Sequence, residues 1–187
     1  GSLPSWLTSN VSRNSGSNGG FSSGSGLTVA ETPGTQRAFT KTLLDTVAQT
    51  GYNNGANFKS LVVSPYVKSV FVGFMSNAGV ATFRYAVRPN EDRTVIATAD
   101  YYEGPFGRVA VLPNRVMAAS AAVARRAFLL DDDLLSMKVL RRIGEDPNVV
   151  TNADATAGVI IGEHGLAVKN AAGHGVVADL FGISASS

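Results

Sequence analysis

Near residue 35 the chain changes character, and that break limits what each side can build. Residues 3–36 are mostly Ser, Gly, Asn and Thr, relieved by Trp6, Leu7, Val11, Phe21, Leu27 and Val29, with one base, Arg13, and one acid, Glu31. A segment this poor in apolar surface gains little from burial to set against the entropy of ordering it. It reads as a flexible Gly/Ser-rich arm or long loop, or as a loop that a partner subunit orders. Gly1 and Ser2 read as a cloning scar and are left out of fold reasoning. Residues 37–187 read as an α+β domain.

Beyond the break the periodicity tightens. Phe39, Leu43, Leu44 and Val47 fall on one helical face, with Gly51 as the expected stop. Ser60 to Val63 is a short strand candidate running into Ser64-Pro65, a helix start with Ser as N-cap and Pro in the first turn. Val67, Val70, Phe71, Phe74 and Met75 then recur at spacings of three and four, the signature of an amphipathic helix. Residues 94–102 and 108–112 are strand-like, and Gly104, Pro105 and Gly107 between them predict a hairpin with a loop of several residues. The Ala-rich stretch 117–127 is helical by propensity. Phe128 to Leu130, Ser136 to Ile143 and Val159 to Lys169 read as strands, and Val176 to Leu180 is short and apolar. Helices in front, strands behind and little βα alternation argue for α+β over a doubly wound sheet.

The side chains point away from catalysis. Cys is absent, which removes disulfides and thiolate chemistry. The two histidines, His164 and His174, lie beside glycines and form no metal-binding spacing, so surface or turn positions are expected for both. Asp131, Asp132 and Asp133 lack the further oxygen ligands and the loop glycine of a cation site; they read as a solvated turn in which one Asp caps a short helical turn. No GxSxG elbow or phosphate-binding glycine loop occurs. Arg125-Arg126 and Arg141-Arg142, with Arg84, Arg88, Arg93 and Arg108, could form a weak phosphate-facing surface, but aromatics do not interleave with them. Solvated or intersubunit ion-pairing arginines fit better. No catalytic, cofactor-binding or metal-binding residues are assigned, and no apolar run is long enough for a membrane-spanning helix. Charged residues make up 16% of the 187, against the roughly 25% usual in globular proteins. Sparse charge suits a surface partly covered by neighbours.

Several segments in order carry a family resemblance: WLTSNVSRNSGSNGGF, GLTVAETPGTQRAFTKTLLDTVAQTGYNNGAN, SLVVSPYVKSVFVGF, DYYEGPFGRVAVLPNRVM, FLLDDDLLSMKVLRRI and GEHGLAVKNAAGHGVVADLFG. Over residues 6 to 182 the chain resembles the major capsid proteins of tailed bacteriophages, in the branch typified by phage SU-ten, with the Hong Kong 97-type shell fold. The resemblance implies an axial domain with part of a peripheral domain, residues 9–26 as a loop near the capsomer axis, and Val159 to Lys169 closing the peripheral part. It further implies an N-terminal arm, an extended loop and part of a spine helix ahead of the first residue here.

The function implied is structural: copies form pentamers and hexamers of an icosahedral virion shell around double-stranded DNA, after synthesis in the bacterial cytoplasm. DNA contact would be weak and non-specific, the net charge being only +2. The resemblance leaves room for a decoration protein and implies no membrane partner. An encapsulin-type nanocompartment shell is the alternative, and a DNA-binding module built on the arginine pairs is a third reading.

Overall fold

The computed structural model describes residues 2–76, 84–86, 94–96, 100–146 and 158–185. Among these residues helices α1 (Leu3–Trp6), α2 (Lys41–Asn53), α3 (Pro65–Ser76) and α4 (Ala121–Ala124) accompany twelve strands. The strands are β1 (Asn10–Ser12), β2 (Gly20–Ser22), β3 (Leu27–Val29), β4 (Ser60–Val63), β5 (Arg84–Ala86), β6 (Thr94–Ile96), β7 (Tyr101–Gly104), β8 (Gly107–Pro113), β9 (Ala127–Leu130), β10 (Leu135–Glu145), β11 (Ile160–Val168) and β12 (Gly175–Val177).

Six of them form the central sheet, in the order β1-β12-β9-β4-β8-β7. The β1/β12 and β4/β8 pairs are parallel and the rest antiparallel. Alternating side chains divide between the two faces. Leu61 and Val63 of β4, Ala127 and Leu129 of β9, and Val177 of β12 join Leu44 and Val47 of α2 and Val67 and Phe71 of α3 in one core. Phe128, Leu130 and Val176 face the other way and meet Leu7 and Met117, with Leu3, Val11, Leu135 and Val168 packed around them. All four residues of β9 are buried, as a strand covered on both faces requires. The α+β expectation agrees with this mixed sheet, although β4, α3 and β8 make one parallel crossover that the front-to-back reading did not contain.

Local signals account for the helix starts. The Ser64 hydroxyl accepts from the Val67 amide at 3.3 Å, the expected N-cap. Val67 and Phe71 are buried and Val70 and Phe74 pack against them; the Met75 side chain lies outside the described residues. Gly51 is not the stop of α2. It lies inside the helix, which ends at Asn53 and turns through Gly55 at φ +79°. Gly51 is small because the Phe58 ring fills its place: an added Cβ would sit 2.2 Å from that ring.

Other expectations shift in detail. The β7–β8 hairpin pairs Gly104 with Gly107, so its loop is only Pro105-Phe106, with Gly107 at φ +126°. Residues 94–102 are not one strand: Thr94–Ile96 pairs with Arg84–Ala86 in a separate two-stranded sheet, and 97–99 lie outside the described residues. The Ala-rich stretch is split at Ser120, which is extended, into a 3-10 turn, Arg115–Ala119, and the single turn of α4. It gives way to β9 because residues 127–130 complete the sheet, and tertiary pairing overrides Ala propensity.

The arm expectation for residues 3–36 also meets a different arrangement. Asn10–Ser12 is an edge strand of the main sheet, in register with Gly175–Val177. β2 and β3 form a small hairpin, with Phe21 stacked on Trp6 at 6.1 Å. Ion pairs and backbone bonds described below supply the ordering that composition alone could not.

Candidate assembly surfaces and their anchorage

Among the described residues β10 and β11 pair only with each other, forming a two-stranded ribbon whose described contacts with the body lie at one end. Cross-strand partners share a face. Leu135 with Val168, Met137 with Leu166, and Val139 with His164 therefore define one side. Ser136 with Ala167 and Lys138 with Gly165 define the other. The register shifts around Leu140 and again between Arg141 and Gly144. Ile143 lies over Gly162, where a Cβ would come 2.7 Å from the Ile143 side chain. Only the root is covered, because Leu135 and Val168 belong to the second core. Further out, Met137 is 60% exposed, Leu140 88%, Ile143 77% and Ile160 76%. Arg141 and Glu163 make a rim ion pair at 3.7 Å, both largely in solvent. An isolated ribbon with its apolar residues bare gains little stability by itself, and such a concentration of bare side chains marks an interaction surface.

The root is held by a compact polar junction. Asp131 caps the 3-10 turn Asp132–Leu134, its carboxylate accepting from the Asp133 amide at 3.3 Å. This is the capping expected of the acidic run. Lys59 reaches Asp131 at 3.2 Å and also bonds Asp133, which raises the Lys59 pKa and lowers that of Asp133. On the return side, Lys169 donates its amide to the Leu134 carbonyl at 2.9 Å. Asn10 is buried and donates from its amide to the carbonyls of Ala172 and His174, both at 2.8 Å, while Asn54 donates to its oxygen at 2.7 Å.

The two histidines behave differently. His164 is exposed on the ribbon, whereas His174 is 0% exposed. His174 is therefore not a surface residue: it ends the 3-10 turn Ala171–Gly173, as a turn position would, but with its side chain buried. Its glycine neighbours allow close packing: a Cβ at Gly173 would meet Leu134 at 2.2 Å and one at Gly175 would meet Val47 at 2.7 Å. Among the described residues no group of three His, Asp or Glu side chains gathers as a metal cage would require.

A second anchorage ties down residues 13–37. Glu31 is gripped by Arg13 and by Arg126, all three nearly buried. Arg13 also lies 3.9 Å from Asp179, whose carboxylate accepts from the amides of Gly34 at 2.8 Å and Asn14 at 3.1 Å. Arg37 bonds the Ser12 carbonyl at 2.7 Å and the Ala178 carbonyl at 3.3 Å. Burial draws the Arg13 and Arg37 pKa values below the ordinary guanidinium range, with Asp179 opposing. Of the arginine pairs singled out from sequence, Arg126 is thus used inside the chain and Arg141 is paired on the ribbon. Arg108 stacks on the Tyr101 ring at 3.9 Å. Arg88 and Arg93 lie outside the described residues, as does the Arg84 side chain.

No curated protein matches the chain. The model of one family, described as SU10 major capsid protein, matches residues 1–181. That span takes in the sheet, both core-forming helices, the ribbon and the Arg13–Glu31 anchorage. The chain therefore belongs to the SU10 major capsid protein family, whose role is structural, in the phage capsid.

Proposed function

We propose that this chain is a shell-forming subunit with the Hong Kong 97-type architecture, whose copies associate into five-fold and six-fold rings and close an icosahedral shell around double-stranded DNA. On this reading the six-stranded body is the axial domain and the ribbon belongs to the peripheral part. The observation that carries it is the ribbon: Met137, Leu140, Ile143 and Ile160 are bare on an element that, among the described residues, is anchored at its root. Burial between copies would return roughly 25 cal/mol per Å² of that apolar surface. The family match favours a phage shell over a cellular nanocompartment. The DNA-module reading loses support because Arg126 and Arg141 are engaged in ion pairs. Contact with packaged DNA would then be charge neutralisation without base readout. Synthesis in the host cytoplasm and docking of a decoration protein remain parts of the same proposal.

Sedimentation velocity over a concentration series tests the ribbon. Self-association should appear as concentration rises and weaken at least about tenfold in Met137→Lys/Ile143→Lys, with the melting temperature nearly unchanged because both sites are exposed. Equal association by the variant would overturn the assignment of this surface.

A further inference from the structure

Both segments that enter and leave the ribbon's root converge on His174. The Asp131 amide donates to its Nδ1 at 3.3 Å. A backbone amide can only donate, so Nδ1 carries the lone pair and the single imidazole proton sits on Nε2. Nε2 is buried without a hydrogen-bond partner. The Asp131 carbonyl in turn accepts from the Leu134 amide at 3.1 Å, and the Leu134 carbonyl from the Lys169 amide. On the other strand, the His174 amide closes the turn after β11 by donating to Ala171 at 3.2 Å.

We propose that His174 is a proton-sensitive latch for the ribbon: in its neutral form it holds the Asp131 turn, and a second proton releases it. That proton, taken from solvent, must bind Nδ1, where it would face the Asp131 N–H. Two donors cannot share the bond, so the ring or the turn must move. The charged groups around the site are Asp131 and Asp132, which favour the imidazolium, and Lys59 and Lys169, which are engaged with the Asp131–Asp133 turn. From the α2 side the approach is through neutral Asn54 and Asn10. Burial outweighs the two carboxylates and keeps the His174 pKa below the ordinary imidazole value. The latch is therefore closed at neutral pH and opens only on acidification beyond the ordinary imidazole range. That a released ribbon alters contacts between copies rests on the shell-subunit reading; the latch itself does not.

The test uses the isolated chain. Nitrogen-15 NMR of the imidazole should show the Nε2–H tautomer at pH 7.5. Amide-exchange protection at Asp131, Leu134 and Lys169 should fall at least about tenfold as His174 protonates, while Leu61 and Val63 in the core keep theirs. In His174→Asn, whose side-chain oxygen can accept from Asp131 but cannot titrate, root protection should not change over the same range. Should that variant fail to fold, the Asp131 amide shift in the native chain must follow the imidazole titration with the same midpoint. An Nδ1–H tautomer at neutral pH, root protection indifferent to the titration, or an equal loss in His174→Asn would overturn the latch. None of these depends on assembly, which the sedimentation series reads separately.

Discussion

Gly51 and Phe58 occupy one space: a Cβ on Gly51 would lie 2.2 Å from the ring tip of Phe58. The same ring lies 3.2 Å from where a Cβ of Gly175 would be, so it is wedged between α2 and β12. Gly51→Ala improves helix propensity by up to about 1 kcal/mol. The overpacking it forces costs roughly 1–3 kcal/mol, and the collision should win. Urea denaturation should show net destabilisation, reduced when Phe58→Leu is added. A Gly51→Ala chain as stable as the parent would refute the wedge.

Phe71 stands at the centre of the helix-facing core. It is 2% exposed, and its ring meets Phe74 at 5.6 Å and Tyr102 at 6.0 Å edge-on. Phe71→Ala removes that ring between α3 and the sheet. A loss of roughly 3–5 kcal/mol is expected from unfolding curves. A loss under about 1 kcal/mol would mean that the core closes around the gap.

What was legible in the chain is what local physics decides. Ser64-Pro65 and the spacing of Val67, Val70, Phe71 and Phe74 place α3 because capping and amphipathicity act within a few residues. Ser60 to Val63 and the two ribbon strands were legible for the same reason. The β1–β12 pairing was not, because Asn10–Ser12 has no strand signature and its partner lies at 175–177. Its ordering depends on contacts such as Arg37 with Ser12 that sequence separation hides. The burial of His174 was not legible, because a histidine between glycines resembles an exposed turn until Leu134 and Val47 are seen filling the glycine spaces. The ribbon's bare face needed the register: until Met137 is set opposite Leu166, its apolar residues cannot be sorted onto sides.

Tyr102 gives an alkaline signature. Its hydroxyl bonds Asp45, and its ring packs against Phe71. Burial first, and then the bond to Asp45, raises its pKa above the ordinary tyrosine value. The folded state thus holds this proton more tightly than the unfolded state. Tyr102 contributes stability that is whole below about pH 10 and is lost as pH rises through the folded pKa. Lys41 acts with the same sign, since its bonds to Asp45 and then to Tyr102 raise its pKa. Melting temperature should therefore decline more gently between pH 9.5 and 11, about the tyrosine range, in Tyr102→Phe than in the parent. Parallel declines would show that Tyr102 carries none of the pH dependence.

The Glu31 clamp should decide whether residues 14–30 stay on the body. Glu31→Gln leaves Arg13 and Arg126 facing each other without their shared counter-charge, and Asp179, 3.9 Å from Arg13 and acting on both arginines, is shared with Arg37 as well. Breaking one partner out of a buried ionic cluster costs roughly 3–5 kcal/mol, whereas apolar replacement of the whole cluster can be neutral. The loss should be local first, because the β2–β3 hairpin lies between Arg13 and Glu31 in the chain and is closed off by their ion pair. Limited proteolysis should then cut Glu31→Gln between residues 14 and 30 well before the parent, with the core still protected. Adding Arg13→Met and Arg126→Met, to remove the stranded charges, should restore part of the resistance. Cleavage of Glu31→Gln at the parent's rate would mean that the bonds of Arg37 and Asp179 hold the segment without the clamp.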